Sequence, residues 1–535
     1  MREKGPSQVQ FWLIALVVGI AAGFAALLFR KGIAALQTAI YGTDDMTLAS
    51  QLAELPWAVV LLVPVAGGLA VGLILHRFTP DGRAHGVAEV IEGAALRDGR
   101  VQLRPGFASA AAALITLSTG GSSGREGPVV HLAAVISTWV SDRINASGIT
   151  ARDLLGCAVA AAVSASFNAP IAGALFALEV VLRHFAVHAF APITIAAAAG
   201  TVINRLEFGG VTEFRLRTVN ELGFYVELPA FLLLGLVSGL VAVAMMRAVF
   251  WGEGLGDRLQ RRLGVPGWLR PACAGLILGA VALQFPHVIG VGYETTSAAL
   301  TGQLLIWNSV VFCMVKVFAV AVTFGGRMGG GIFSPSLMVG ALTGLAFGHV
   351  ATGLLPQFSG AETIYALAGM GAVAGAVLGA PISTTLIVFE MTGDWQTGLA
   401  VMIAVSISSM LAGHMVQRSF FLTQLERRNL RLAAGPQAWL LATVPVALVL
   451  RAKDSQRAAP EDRCWEMVEE GLSLDRGATL EVAMPLFERT GADFLPVISR
   501  ARPDAPPVLW GAVFQVDALK AFNRALAATA AEEHS

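Results

Sequence analysis

The sequence predicts an all-α, polytopic membrane protein made of two inverted halves with broken helices, followed by a small C-terminal α/β segment. Three observations predict it. The chain is 55% hydrophobic and 14% charged, with mean hydropathy +0.67, against about 25% charged residues in a soluble domain. Seven apolar runs approach or exceed the roughly 20 residues that cross a bilayer. Two short motifs recur at nearly equal offsets.

The runs are Phe11–Phe29, Trp57–Leu75, Ala158–Leu182, Leu228–Phe250, Leu304–Val322, Thr363–Phe389 and Leu399–Val416. Val129–Val140 is too short to cross straight. It reads as a broken or re-entrant helix, which a membrane tolerates only where protein or a cavity covers the backbone. No Ala-x-Ala pattern closes the first run, so it reads as a retained helix. The four cysteines show no CxxC spacing, and three lie in apolar segments as small core residues. Net charge is zero, so no nucleic-acid partner is implied.

The first motif is Gly120-Gly121-Ser122-Ser123-Gly124-Arg125-Glu126-Gly127-Pro128. It lies between apolar stretches, where an ionisable pair is a functional hypothesis by default. Glycines free the backbone to turn, and Pro128 suits the first turn of a helix. The stretch reads as irregular backbone feeding a helix N-terminus, a ready anion site. Glu126 lies in that same site, so an anion and a carboxylate compete for one set of donors. The plain alternative is a tight turn with a buried Arg–Glu pair.

The repeat joins these elements. Ala169-Pro170-Ile171-x-x-x-Leu175-x-x-x-Glu179 recurs as Ala380-Pro381-Ile382-x-x-x-Leu386-x-x-x-Glu390, with 390 − 179 = 211. Gly124-x-x-x-Pro128 recurs as Gly331-x-x-x-Pro335, with 335 − 128 = 207. The halves are about 10–205 and 225–425. Interrupted helices at matching places point to a transport site at the midplane between halves. Glu207–Glu221 reads as a polar break, and Trp251–Arg270 as a basic loop or interfacial helix. The membrane domain covers 1–430. Basic residues Arg418, Arg427, Arg428 and Arg431 after the last run place the tail in the cytoplasm. In the tail, 436–535, Thr479–Thr490 reads as an amphipathic helix, Phe494–Ile498 and Val508–Phe514 as strands, Val516–Ala527 as a helix, and Arg451–Asp462 as a polar loop.

These residues carry a family resemblance. Gly124–Pro128, Gly331-Ile332-Phe333-Ser334-Pro335 and Ser166-Phe167-Asn168-Ala169-Pro170 resemble, in order, signature segments of the CLC chloride channels and chloride/proton antiporters. The resemblance covers about residues 10–430. It implies a homodimer in the inner or plasma membrane, one anion path per subunit, and chloride as substrate with no cofactor. It implies that Glu126 is the gate. Backbone N–H groups of Arg125 and Gly127 would line an outer chloride site, and those of Ile332 and Phe333 a central one. N–H dipoles hold a weakly hydrated anion without trapping it.

Four positions depart from the family pattern. His85 and Ala88, in Ala84–Ala88, stand where the family has serine and proline, so His85 is a candidate chloride ligand by ring or backbone. Phe421 stands at the inner tyrosine and has no hydroxyl. Val180 stands where antiporters carry an internal carboxylate, leaving Glu126, Glu179, His184 and His188 as proton-path candidates. Lys316 is expected to snorkel or to pair. The tail resembles one half of a CBS pair, with Asp517 at the position that contacts a nucleotide's ribose. The reading is chloride transport gated by Glu126, with voltage- or pH-gated conduction placed ahead of chloride/proton exchange. A membrane sensor with a nucleotide-responsive tail is the alternative of another class. No nucleophile–base or metal constellation lies in the spans, so no enzyme is expected.

Overall fold

The computed structural model describes residues 8–185, 187–209, 227–354, 361–428, 444–455, 457–499 and 507–533, with a few single positions between. Arg431 and most of the Glu207–Glu221 break lie outside them. The chain divides into two compact units. One comprises residues 1–182 and 189–429, and the other 183–188 and 430–535.

Among the described residues, eight helices of the membrane unit are long and apolar enough to cross a bilayer. The two halves run through the same order of elements. In the first, Leu103–Thr119 leads through the glycine segment into Glu126–Arg143, then Gly148–Phe167, Pro170–Phe176 and Val187–Phe208. In the second, Ile306–Gly325 leads through a glycine segment into Phe333–Leu354, then Glu362–Leu378, Pro381–Thr392 and Trp395–Val416. The apolar runs Ala158–Leu182 and Thr363–Phe389 both break. Each breaks at a left-handed residue, Asn168 at φ 56° and Gly379 at φ 68°. Ala-Pro follows, and Pro starts the next helix at no cost in hydrogen bonds.

Two sets of bonds show that the halves are related by an inverting pseudo-two-fold. Gly124 N–H donates to Gly331 O at 2.7 Å, and Gly331 N–H donates to Gly124 O at 2.7 Å. These residues are equivalent in the repeat, since 331 − 124 = 207. Glu390 accepts from Ile171 N at 3.1 Å and Ala172 N at 2.8 Å. Glu179 accepts from Ile382 N at 3.0 Å and Ser383 N at 2.8 Å. Each repeat's carboxylate thus caps the other repeat's Ala-Pro helix, satisfying N–H groups that a helix leaves unpaired. Equivalent residues exchanging equivalent bonds is the mark of a two-fold.

Two expected boundaries move. Val129–Val140 belongs to an 18-residue helix, Glu126–Arg143. It gains the buried Glu126–Pro128 at its start and Ser141–Arg143 at its end, and Thr138 Oγ1 bonds back to Ala134 O at 2.9 Å, so the hydroxyl does not break the helix. Trp251–Leu263 is no loop; it continues a 36-residue helix, Leu228–Leu263. Lys316 is fully buried, and its ammonium donates to Val288 O at 3.3 Å and Gly290 O at 3.1 Å. It pairs with carbonyls and does not snorkel.

In the second unit, β1 (Leu450–Ala452), β2 (Leu474–Asp475), β3 (Phe494–Ser499) and β4 (Val508–Phe514) form one sheet in the order β1-β4-β3-β2. β4 is antiparallel to β1 and β3, and β2 is parallel to β3. Leu480–Thr490 packs Leu480, Ala483 and Phe487 onto Leu495, Val497 and Val513. The stretch read as a polar loop, Arg451–Asp462, instead begins within β1 and ends in the helix Glu461–Glu469.

Glu179→Ala and Glu390→Ala each remove a charged acceptor of two helix N–H groups. Each is expected to lower stability by about 1–3 kcal/mol, read as a drop in thermal midpoint in detergent. A drop in only one of the two variants contradicts the reciprocal capping.

Candidate functional site

The glycine exchange sets the site. It brings the N-terminus of Glu126–Arg143 against that of Phe333–Leu354, and no side chain fits between. A Cβ on Gly331 would lie 3.0 Å from Gly127 N, and one on Gly330 (φ 139°) would lie 2.0 Å from Ser123 Oγ. Ser122 N–H donates to Thr323 Oγ1 at 3.0 Å, and Gly329 N–H to Thr116 Oγ1 at 3.1 Å, so both segments are pinned from behind. The first N–H groups of each helix remain for a ligand.

Glu126 sits at this junction, 2% exposed. Ser334 Oγ lies 2.6 Å from each of its carboxylate oxygens and donates to them. Tyr293 Oη donates to Oε1 at 3.5 Å. Arg125 Nε lies 3.9 Å from Oε1, and the guanidinium stands over the Tyr293 ring, 5.0 Å from its centroid. The sequence reading missed Ser334 and Tyr293. Ser334 had a signal, since it stands inside the repeated Gly-x-x-x-Pro segment. Tyr293 had none.

One cleft is lined by Glu126, Gly127, Gly331, Ile332, Phe333 and Phe421, and it runs on past Arg83, Asp257, Arg270, Arg327 and Arg428. Asp257 bonds Arg270 at 2.5 Å and Arg327 at 3.0 Å, and Arg83 stands 3.9 Å away. Phe333 packs on Phe167 at 4.8 Å, and Phe420, beside Phe421, stacks on Phe250 at 5.0 Å. Apolar rings therefore flank the two helix starts, and cations flank the approach.

Some candidates lie off this cleft. His85 does not line it. Its backbone N–H donates to Ser109 Oγ at 2.8 Å, its Nε2 is 3.6 Å from Asp81 Oδ1, and its ring meets His131 at 5.8 Å. His85 thus lies off the cleft, with its backbone N–H engaged by Ser109. Arg125 is the N-cap of its helix, and its guanidinium turns toward Tyr293 and Ser166 O (3.4 Å), away from the cleft. Glu179 is engaged in its cap. Val180 is buried in the 177–182 segment. His184 and His188 fall in the segment 183–188 of the second unit. Asp517, in that unit, accepts from Arg451 Nε at 2.7 Å, with Arg451 also over the Phe514 ring at 3.9 Å.

A family model described as voltage gated chloride channel matches residues 67–413. A ClcB-like chloride channel protein, so named in Ralstonia nicotianae, is 34% identical over 73% of this chain and 91% of its own length. The voltage-gated ClC-type chloride channel ClcB of Escherichia coli is 30% identical over 75% of this chain and 95% of its own. The crystal structure of a slow cyanobacterial Cl⁻/H⁺ antiporter superposes with TM-score 0.69 at 22% identity, covering 78% of this chain and 97% of that one. With its two inverted halves joined at Gly124 and Gly331 and its match from residue 67 to 413, the chain belongs to the CLC family of chloride transport proteins.

Proposed function

We propose that the chain carries chloride across the membrane along the cleft, with Glu126 as its gate, and that it does so by passive conduction. The observation that carries this reading is the convergence of two helix N-termini on the Glu126 carboxylate. Each N-terminus presents about half a positive charge. Together they match one monovalent anion. With Glu126 ionised and swung in, its carboxylate meets that demand. Protonation removes its charge, and chloride takes the place. Flux therefore rises as pH falls or chloride rises.

Val180 favours conduction over exchange. It is apolar and buried, and it relays no proton. Curated relatives at 30–34% identity carry the name chloride channel, which points the same way. In this reading chloride approaches through the cationic mouth of Arg83, Arg270 and Arg327, and it passes Phe421 as an apolar constriction with no hydroxyl ligand. Gly127, Ile332 and Phe333 supply backbone donors. The protein works as a homodimer in the cell membrane with its tail cytoplasmic, supported by Arg418, Arg427 and Arg428 after the last span. The tail acts as a CBS-like structural segment, and the Arg451–Asp517 pair supports a structural role over nucleotide sensing.

Three measurements test this. In proteoliposomes, chloride efflux is expected with no accompanying proton uptake; uptake that persists when the membrane potential opposes leak reassigns the chain to exchange. Glu126→Gln is expected to keep the path open and to abolish the rise in flux as pH falls; a steep rise kept in that variant removes Glu126 as the gate. Ser334→Ala takes a hydroxyl from the inward carboxylate, a bond of about 1.5 kcal/mol or more. The chloride concentration for half-maximal flux is expected to fall about tenfold, measured as flux against chloride at fixed pH; an unchanged value would show that Ser334 does not hold the gate.

A further inference from the structure

Beside the cleft lies a second cavity that this mechanism does not use. The charged and titratable groups facing it are Asp81 and His85 from the loop before Val87–Leu96, Glu89 and Glu92 on that helix, Arg97 after it, His131 on Glu126–Arg143, and Arg428. All three carboxylates have basic partners. Asp81 faces His85 at 3.6 Å, Glu92 accepts from Arg97 at 2.6 Å, and Glu89 accepts from Arg428.

His131 is left over. It is 1% exposed, and neither ring nitrogen has a hydrogen-bond partner among the described residues. Its ring packs against Gly106, where a Cβ would lie 3.2 Å from Cε1. A buried imidazole with both nitrogens bare is costly, and a polar cavity beside it removes that cost with water. The compartment has the room and the polar walls to hold water.

Its groups form a gradient of access. The Asp81 side chain is 41% exposed and that of His85 12%, and the His131 ring lies beyond, at 5.8 Å and 88° to the His85 ring. Glu89 and Arg428 line both this compartment and the cleft that holds Glu126. Their ion pair is the wall between the two.

We propose that protons reach Glu126 through this compartment. A proton taken from solvent at Asp81 passes to His85, through water to His131, and on to Glu89. Glu89 releases it across the wall to the Glu126 carboxylate. Each step breaks one O–H or N–H bond and makes another, and the net change is one proton moved from solvent to Glu126. The route avoids position 180, where valine has no proton acceptor. It rests on the reading that Glu126 gates the path.

The test is chloride flux in proteoliposomes, with pH varied on each side in turn, for His131→Gln, His85→Gln and each combined with Glu126→Gln. Both single variants are expected to keep wild-type flux at neutral pH, and to keep the acceleration that acid gives from the opposite side. They are expected to lose at least about tenfold of the acceleration that acid gives from the side where Asp81 is exposed, the scale of a lost proton shuttle. In the Glu126→Gln background neither histidine substitution is expected to change flux. Unchanged acceleration in the single variants overturns the route and leaves the gate intact. A histidine effect that persists without Glu126 overturns it also. Wild type with no chloride flux, or with flux indifferent to pH, fails the transport or gating reading itself. If His131→Gln does not fold, as judged by size exclusion in detergent, His85→Gln near the mouth carries the test.

Discussion

Everything in the membrane unit depends on two hydrogen bonds, those between Gly124 and Gly331. They tie together two segments that are not helical, inside a region where unpaired backbone groups cost several kcal/mol each. The tie also creates a problem. Two helix N-termini, each about half a positive charge, point at one place. With no counter-charge they repel. Glu126 is the chain's own remedy, and because its carboxylate stands on a side chain the remedy can be displaced. A rigid backbone cradle with a movable internal anion is enough to make a gate. The glycines are there because a Cβ at 330 or 331 would collide with Ser123 or Gly127.

The reciprocal caps carry a second constraint. Glu179 and Glu390 stand at equivalent places and hold equivalent N–H pairs. Symmetry accounts for both, so neither needs a transport role to explain its presence. Protonating Glu179 would weaken its bonds to Ile382 and Ser383, and that loosens the junction of the two repeats. In the tail, the charge of Asp517 is met by Arg451.

Much of this was legible in the sequence, and the limits have physical causes. The repeat offsets fixed which residues are equivalent, and the Ala-Pro steps marked where the long runs break. Hydropathy drew Val129–Val140 too short, because the helix runs on through Glu126 at one end and Ser141–Arg143 at the other, polar residues that an apolar run leaves out. It left Trp251–Arg270 between loop and interfacial helix, and Trp251–Leu263 is helix, because a helix can leave the apolar layer without ending. The glycine motif was readable as irregular backbone feeding a helix N-terminus, with Glu126 at its start. Tyr293 was not, because it reaches Glu126 across 167 residues of chain. The placing of His85 was not either. A motif assigns a residue to a loop, and the direction of its ring is decided by Asp81, Ser109 and His131, none of which the motif contains.

Anion and proton have different needs, and the structure separates them. Chloride needs N–H dipoles, cations at the approach and no fixed positive charge in contact. The cleft of Gly127, Ile332, Phe333 and Phe421 offers these conditions. A proton needs closely spaced lone pairs and water, which the cleft's apolar rings do not supply. Asp81, His85, His131 and Glu89 supply them in the adjoining compartment. The two spaces share one wall, the Glu89–Arg428 pair. An ion pair suits that place. Closed, it keeps Arg428 off the anion and Glu89 off the path. When a proton neutralises Glu89, the attraction that holds Arg428 weakens and the guanidinium is freer to face the cleft. While the proton rests on Glu89 the chloride path gains positive charge; once it has passed on, the Glu89–Arg428 pair re-forms and Glu126 has lost its negative charge, so two successive changes favour the anion.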